Sequence, residues 1–149
     1  MTIEQAMLFL SIFATCDGRD SKRVFRAHRT EEVLFKSYNI MISNSLQDAL
    51  NKQIVSEIYS ANLYLSMSFY FEKEGFDGFS TWMKKQSAEE MDHAYQMANY
   101  LIKRGGEAVV GQIPAVKQTW TAPLDAFEDA YKHECHISSL IDKLLDEAI

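Results

Sequence analysis

An all-α fold is expected from three observations. Three segments of this 149-residue chain repeat their apolar residues with the 3.6-residue period of a helix. Each segment carries a glutamate on its otherwise apolar face, at Glu57, Glu90 and Glu134. Glycines punctuate the pattern, Gly75 and Gly78 after the first segment and Gly105-Gly106 after the second. Together these predict a helical bundle with acids turned into its interior.

The composition sets bounds on what such a bundle does. At 149 residues, 47% of them hydrophobic and 24% charged, the chain has the size of one ordinary domain. No run approaches the roughly 18 consecutive apolar residues of a membrane span. Residues 1–40 hold six Lys/Arg against five Asp/Glu, whereas residues 41–149 hold nine against sixteen. An acidic body with no basic stripe attracts cations and repels nucleic acid, so neither nucleic acid nor membrane is expected as a partner. Cys16 and Cys135 match no zinc or redox spacing, which leaves reduced thiols and a cytoplasmic location as the expectation.

Residues 1–40 read differently from the rest. Their apolar run, Ala6 to Ala14, is preceded by Glu4 rather than a basic region, and Phe13-Ala14-Thr15-Cys16 is a poor lipobox. They are expected to form a poorly ordered leader, with Met41 as the beginning of the folding unit and Met1 as a mis-assigned start. From Ser43 to about Lys73 the first helix is expected, with Ser43, Asn44 or Ser45 as its cap. Its inward stripe includes Leu50, Ile54, Glu57, Ala61, Tyr64 and Phe71. After a short glycine turn the second helix, about Phe79 to Arg104, folds back antiparallel, its stripe containing Met83, Gln86, Glu90, His93 and Met97.

The stretch from Gly105 to Ala122 is long for a bundle connection. Extended, some 17 residues at about 3.3 Å each reach the full length of a helix of about 26 residues, so the connection is expected to cross the bundle end to end. The second and third helices would then run parallel. Pro123 suits a first helical turn, and the third helix is expected from there to the end, with Leu124, Phe127, Tyr131, Glu134, Ile137 and Ile141 facing inward. No glycine, proline or polar tail closes that pattern before Ile149, so a C-terminal truncation is expected.

Chemistry concentrates where the buried stripes carry acids. Glu90 and His93 are three positions apart, which puts a carboxylate oxygen and an imidazole nitrogen on one helical face. A buried carboxylate is costly unless something positive meets it, and a bound cation answers that cost when several acids converge. Taken singly, His93 reads as a hydrogen-bonded core histidine and Tyr64 as packing; it is their joint occurrence with three inward glutamates that points to a metal. Oxygen ligands with one imidazole suit iron or manganese better than thiolate-rich zinc sites. The position three after Glu134 is Ile137, so no second Glu-x-x-His forms there. His133 and His136 flank Glu134 off its face and read as surface residues.

The run from Met41 to Ile149 resembles the first three helices of bacterial non-haem ferritins. The resemblance rests on Gln53 to Ser60, Leu63 to Ser68, Glu89 to Ala94, Ile102 to Gly106 and Tyr131 to Glu134, with separations of 33 between Glu57 and Glu90 and 41 between His93 and Glu134. It implies a ferritin-like four-helix bundle, of which this chain holds only the first three long helices. It also implies an iron-storage homo-oligomer, a 24-subunit shell that binds Fe(II) at a di-iron centre, oxidises it with dioxygen or hydrogen peroxide and deposits Fe(III) mineral. By position, Glu57 and His93 would hold the first iron, Glu90 would bridge both and Glu134 would hold the second. Glu89 resembles an acid of an outer third site, and Tyr64 the aromatic beside the centre. Truncation would impair binding and oxidation. Two other readings stand beside this one: a metal-free helical interaction fragment, and a rubrerythrin-like peroxide-reducing di-iron enzyme. Ile137 and the lack of Cys-x-x-Cys speak against the second of these.

Overall fold

A computed structural model describes residues 42–147; the expected leader, with Cys16, and the terminal Ile149 lie outside the described residues. Three helices make up the described part, α1 (Asn44–Lys73), α2 (Asp77–Lys103) and α3 (Pro123–Glu147). At 30 residues α1 is the longest, about 45 Å at 1.5 Å per residue. Ser43 caps it: its backbone is extended and its Oγ accepts the Leu46 N–H at 3.3 Å. The turn after α1 uses Gly75 at φ +81°, a left-handed conformation that favours glycine. α2 then begins at Asp77, two residues ahead of the expected Phe79, with that acid in the first turn where the helix dipole favours it.

α2 ends in a Schellman arrangement. Gly105 is left-handed at φ +72°, its N–H bonds the Ile102 carbonyl, and the Gly106 N–H bonds the Leu101 carbonyl at 2.9 Å. Any side chain at Gly106 would come within 2.8 Å of Ile42 and Gln47, so the close approach of the chain there requires glycine.

The long connection follows α1 from one end to the other. Asn51 grips its start, donating to the Glu107 carbonyl at 2.9 Å and accepting from the Val109 N–H at 2.8 Å. Further along, Ser66 donates to the Lys117 carbonyl at 2.7 Å, and the Trp120 ring lies 5.3 Å from that of Tyr70. Trp120 also donates to Asp129, which accepts Lys117 at 2.6 Å and ties the end of the connection to α3. α3 therefore starts at the C-terminal end of α1, where Phe127 meets Phe71 at 5.2 Å, and runs back so that His133 meets Ser60. Antiparallel to α1, it is parallel to α2, as the length of the connection led one to expect.

The hydrophobic core has two parts. One gathers Leu63, Tyr64, Met67, Phe71, Met83 and Trp120; the other gathers Leu50, Ile54, Ala94 and Leu101. Glu57 lies between them on α1. The expected inward faces of α1 and α2 are met almost throughout, but that of α3 is shifted. Ala126, Ala130 and Ile137 are its buried residues, while Leu124 and Tyr131 are 66% and 58% exposed. Ala126 and Ala130 join the core cluster with Phe71 and Met67, and the described residues leave Leu124 and Tyr131 uncovered.

Candidate metal centre

Glu57 of α1 and Glu90 and His93 of α2 meet in the interior, each with one ligand-type atom within 4.8 Å of the others. Helix periodicity puts them there. Glu57 lies one and two turns from Ile54 and Leu50 on the buried face of α1, and Glu90 and His93 flank the same seam on α2. Their exposures are 2%, 8% and 5%. His93 Nδ1 lies 3.0 Å from Glu90 Oε2 and 3.9 Å from Glu57 Oε2. The other ring nitrogen, Nε2, is buried without a hydrogen-bond partner among the described residues.

Crowding shifts the titration of all three groups. Burial alone would raise the Glu57 carboxyl, but hydrogen bonds from His93, Glu90 and Gln53 outweigh it and hold Glu57 below the ordinary carboxylate value. Glu90 is pushed up to about 7, chiefly by burial and against the pull of His93, with the neighbouring Glu57 adding to the rise. Burial disfavours the charged imidazole of His93, yet its bonds to Glu57 and Glu90 raise it to about 10. At neutral pH the cluster thus holds one charged carboxylate, one carboxyl near its midpoint and an imidazolium. The proton on Nδ1 occupies the place between the carboxylates that a cation would take.

The donor set fits a divalent metal. Two carboxylates and one imidazole match the preferences of iron or manganese, and all three are buried with one ligand-type atom each within 4.8 Å of the others. Nδ1 is the nitrogen turned toward the carboxylates, so a metal there would leave Nε2 carrying the ring proton.

Tyr64 and Glu134 form the neighbouring pair. The buried Tyr64 hydroxyl donates to Glu134 Oε1 across the α1–α3 contact. Burial raises the Glu134 carboxyl more than this bond lowers it, and Glu57 and His93 both act on its charge. Burial, with the Glu134 charge beside it, also raises the Tyr64 phenol, which stays protonated. Glu134 is bonded to Tyr64, and the set whose ligand-type atoms all lie within 4.8 Å of one another is Glu57, Glu90 and His93. Glu89 is partly buried and accepts Gln86 Nε2 at 2.8 Å, one step round α2 from Glu90.

Two residues of the site were not foreseen. Gln53 Nε2 donates to Glu57 Oε1 at 2.7 Å from within the core. His133, read from sequence as a surface residue, is partly buried, and its Nε2 lies 2.7 Å from Ser60 Oγ. The Ser60 hydroxyl has one proton, which goes to the Ser56 carbonyl at 3.0 Å, so the ring N–H of His133 donates to Ser60. Burial lowers the His133 pKa and keeps the ring neutral for this bond. His136 is exposed, as expected.

The two polar ties between α1 and α3 make a prediction about Tyr64. Tyr64→Phe removes the donor that satisfies Glu134 and is expected to cost about 1 kcal/mol, a drop of several degrees in thermal midpoint. Circular dichroism melts of the two metal-free proteins measure it. An unchanged midpoint would mean that Glu134 finds another partner.

Known proteins share this arrangement of helices. The ferritin-like domain pattern matches residues 47–149. A bacterial non-heme ferritin of Bacteroides fragilis is 60% identical over 108 residues, which are 72% of this chain and 68% of that relative. One from Campylobacter jejuni is 33% identical over 109 residues, 73% of this chain and 65% of the relative. Among solved structures, an open pore ferritin from the hyperthermophilic archaeon Archaeoglobus fulgidus superposes with a TM-score of 0.70 at 43% identity, covering 72% of this chain and 65% of that one. The chain spans about two thirds of the length of these proteins.

Proposed function

Because this chain belongs to the ferritin family, we propose that it serves iron storage, taking Fe(II) at Glu57, Glu90 and His93, with Glu134 completing a second position. The observation that carries the reading is the buried cluster itself: two glutamates and a histidine, all under 10% exposed, turned toward one point. A fold has little reason to bury that set for stability alone, since buried charges cost more than hydrocarbon of the same size.

In this reading the protein's residues do three things. Glu57 and Glu90 supply negative charge that draws the cation from water into the seam. His93 gives up the proton on Nδ1 as the metal enters and keeps the one on Nε2. Tyr64 holds Glu134 beside the cluster, and Glu90, whose two oxygens can face two cations, is placed to bridge. Bound Fe(II) loses an electron to dioxygen or hydrogen peroxide, and the Fe(III) so formed passes on for deposition as mineral. Assembly into a multi-subunit shell, a role for Glu89 at an outer third site and a cytoplasmic location belong to the same proposal. No helix of the described residues is long and apolar enough to cross a membrane.

The test is Fe(II) oxidation followed by the ultraviolet absorbance of Fe(III), after anaerobic loading of the full chain and admission of air. Formation of Fe(III) faster than in buffer, and its suppression by prior loading with Zn(II), is the expected result. Oxidation at the rate of free iron would leave the chain without ferroxidase activity. The rubrerythrin-like reading gains no observation, since Ile137, buried at 3% exposure, stands where a second histidine would be needed.

A further inference from the structure

The buried amide of Gln53 has no place in the function described so far. It lies one helical turn before Glu57 on the same face of α1, between the apolar Leu50 and the acid, and is 4% exposed. A long amide buried there gives up hydration and rotamer freedom that an apolar side chain of the same size would not. What it gains is one bond, from Nε2 to Glu57 Oε1 at 2.7 Å.

That bond divides the work of the two carboxylate oxygens. Oε1 is held by the amide of its own helix, and Oε2 faces His93 Nδ1 at 3.9 Å. The corresponding glutamine on α2 behaves differently. Gln86 precedes Glu90 by the same four residues, yet its amide goes to Glu89 Oε2. One acid of the cluster is thus anchored by the glutamine a turn before it, and the other is not.

We propose that Gln53 is a positioning residue that occupies Glu57 Oε1 and so restricts Glu57 to binding a divalent cation through Oε2 alone. The inference rests on the reading of the cluster as a cation site and adds to it an asymmetry between the two glutamates. Glu57 becomes a one-oxygen ligand of fixed direction, while Glu90 keeps both oxygens available for coordination. Without the Gln53 donor, Oε1 turns toward the metal, Glu57 binds through both oxygens and the coordination number rises.

Co(II) is the probe, because it does not oxidise readily in air and its visible bands weaken as coordination number rises. The full 149-residue chain is titrated with Co(II) alone, as wild type, Gln53→Met and Gln53→Asn, with Glu57→Ala as the control for the site. Met fills the space without a donor, and Asn keeps the amide but falls one methylene short. Far-ultraviolet circular dichroism checks each fold, and if the Met variant does not fold the Asn variant decides. Expected are saturable bands in the wild type, lost in Glu57→Ala, with weaker bands and an affinity lower by about tenfold in the Gln53 variants. A wild-type spectrum and affinity in folded Gln53 variants overturns the role of Gln53 while leaving the cation site standing. No saturable bands in the wild type overturns the cation site, and the role of Gln53 with it.

Discussion

Replacing Glu90 with alanine is expected to lower Fe(II) affinity by at least about 100-fold, the upper end of what loss of an outer-shell partner does to a metal site. The reason lies in how few groups make the cluster. Glu90 Oε2 is the nearer partner of His93 Nδ1, at 3.0 Å against 3.9 Å for Glu57. Its removal leaves one carboxylate and one imidazole, too little charge and too few donors to replace the hydration of a divalent ion. The fold itself should tolerate the change better than the site does. Burial pushes Glu90 up to about 7, so its charge is one the metal-free fold resists holding. Anaerobic calorimetric titration with Fe(II) and a thermal melt without metal separate the two effects. Wild-type affinity in Glu90→Ala would place the metal elsewhere in the chain.

The helices and the centre were legible in the sequence for one reason, and the rest was illegible for another. Glu57, Glu90 and His93 each interrupt a long apolar stripe, and a charge inside a stripe is a strong signal because burying it is costly. The crossing of the connection followed from length alone. On α3 the expected face holds at Ile137 and at Phe127, which packs against the core, but Leu124 and Tyr131 are exposed while Ala126 and Ala130 are buried. Close helix contact is made by small residues as well as large ones, and hydropathy does not rank them by contact. His133 likewise reads as a surface residue, although it bonds Ser60 beside the site. Gln53 was missed differently. A glutamine four residues before a glutamate is an ordinary helical pair, and only the buried position of both makes it a tether. Glu134 is expected as a ligand by resemblance, and in the structure its carboxylate accepts the Tyr64 hydroxyl.

Acidifying from pH 8 to pH 6 is expected to weaken metal binding by about two to three orders of magnitude, through competition between proton and metal. The metal needs the Nδ1 lone pair of His93, and in the metal-free chain that nitrogen holds its proton up to about pH 10. Binding across this range therefore expels one proton, and affinity falls about tenfold for each unit of acidification. Glu90, raised to about 7, begins to hold a second proton over the lower half of the range and steepens the fall.

The stability of the metal-free chain runs the other way. His93 is raised in the fold above its ordinary 6.5, so its bonds contribute fully below that value and are lost as pH rises through about 10. Glu90 is raised above 4.5, so the fold favours its protonated form, and that advantage is lost as pH rises through about 7. Glu57 has the opposite sign: lowered in the fold, it stabilises above 4.5 and loses that contribution only on further acidification. Between pH 5 and pH 10 the cluster thus makes the metal-free chain progressively less stable, while a bound cation relieves the repulsion that causes it. The difference in thermal midpoint between chains with and without Co(II) should widen steadily with pH, because each proton lost from His93 or Glu90 both weakens the empty site and prepares the filled one. A difference that stays constant from pH 6 to pH 9 would mean that neither group exchanges its proton for the metal.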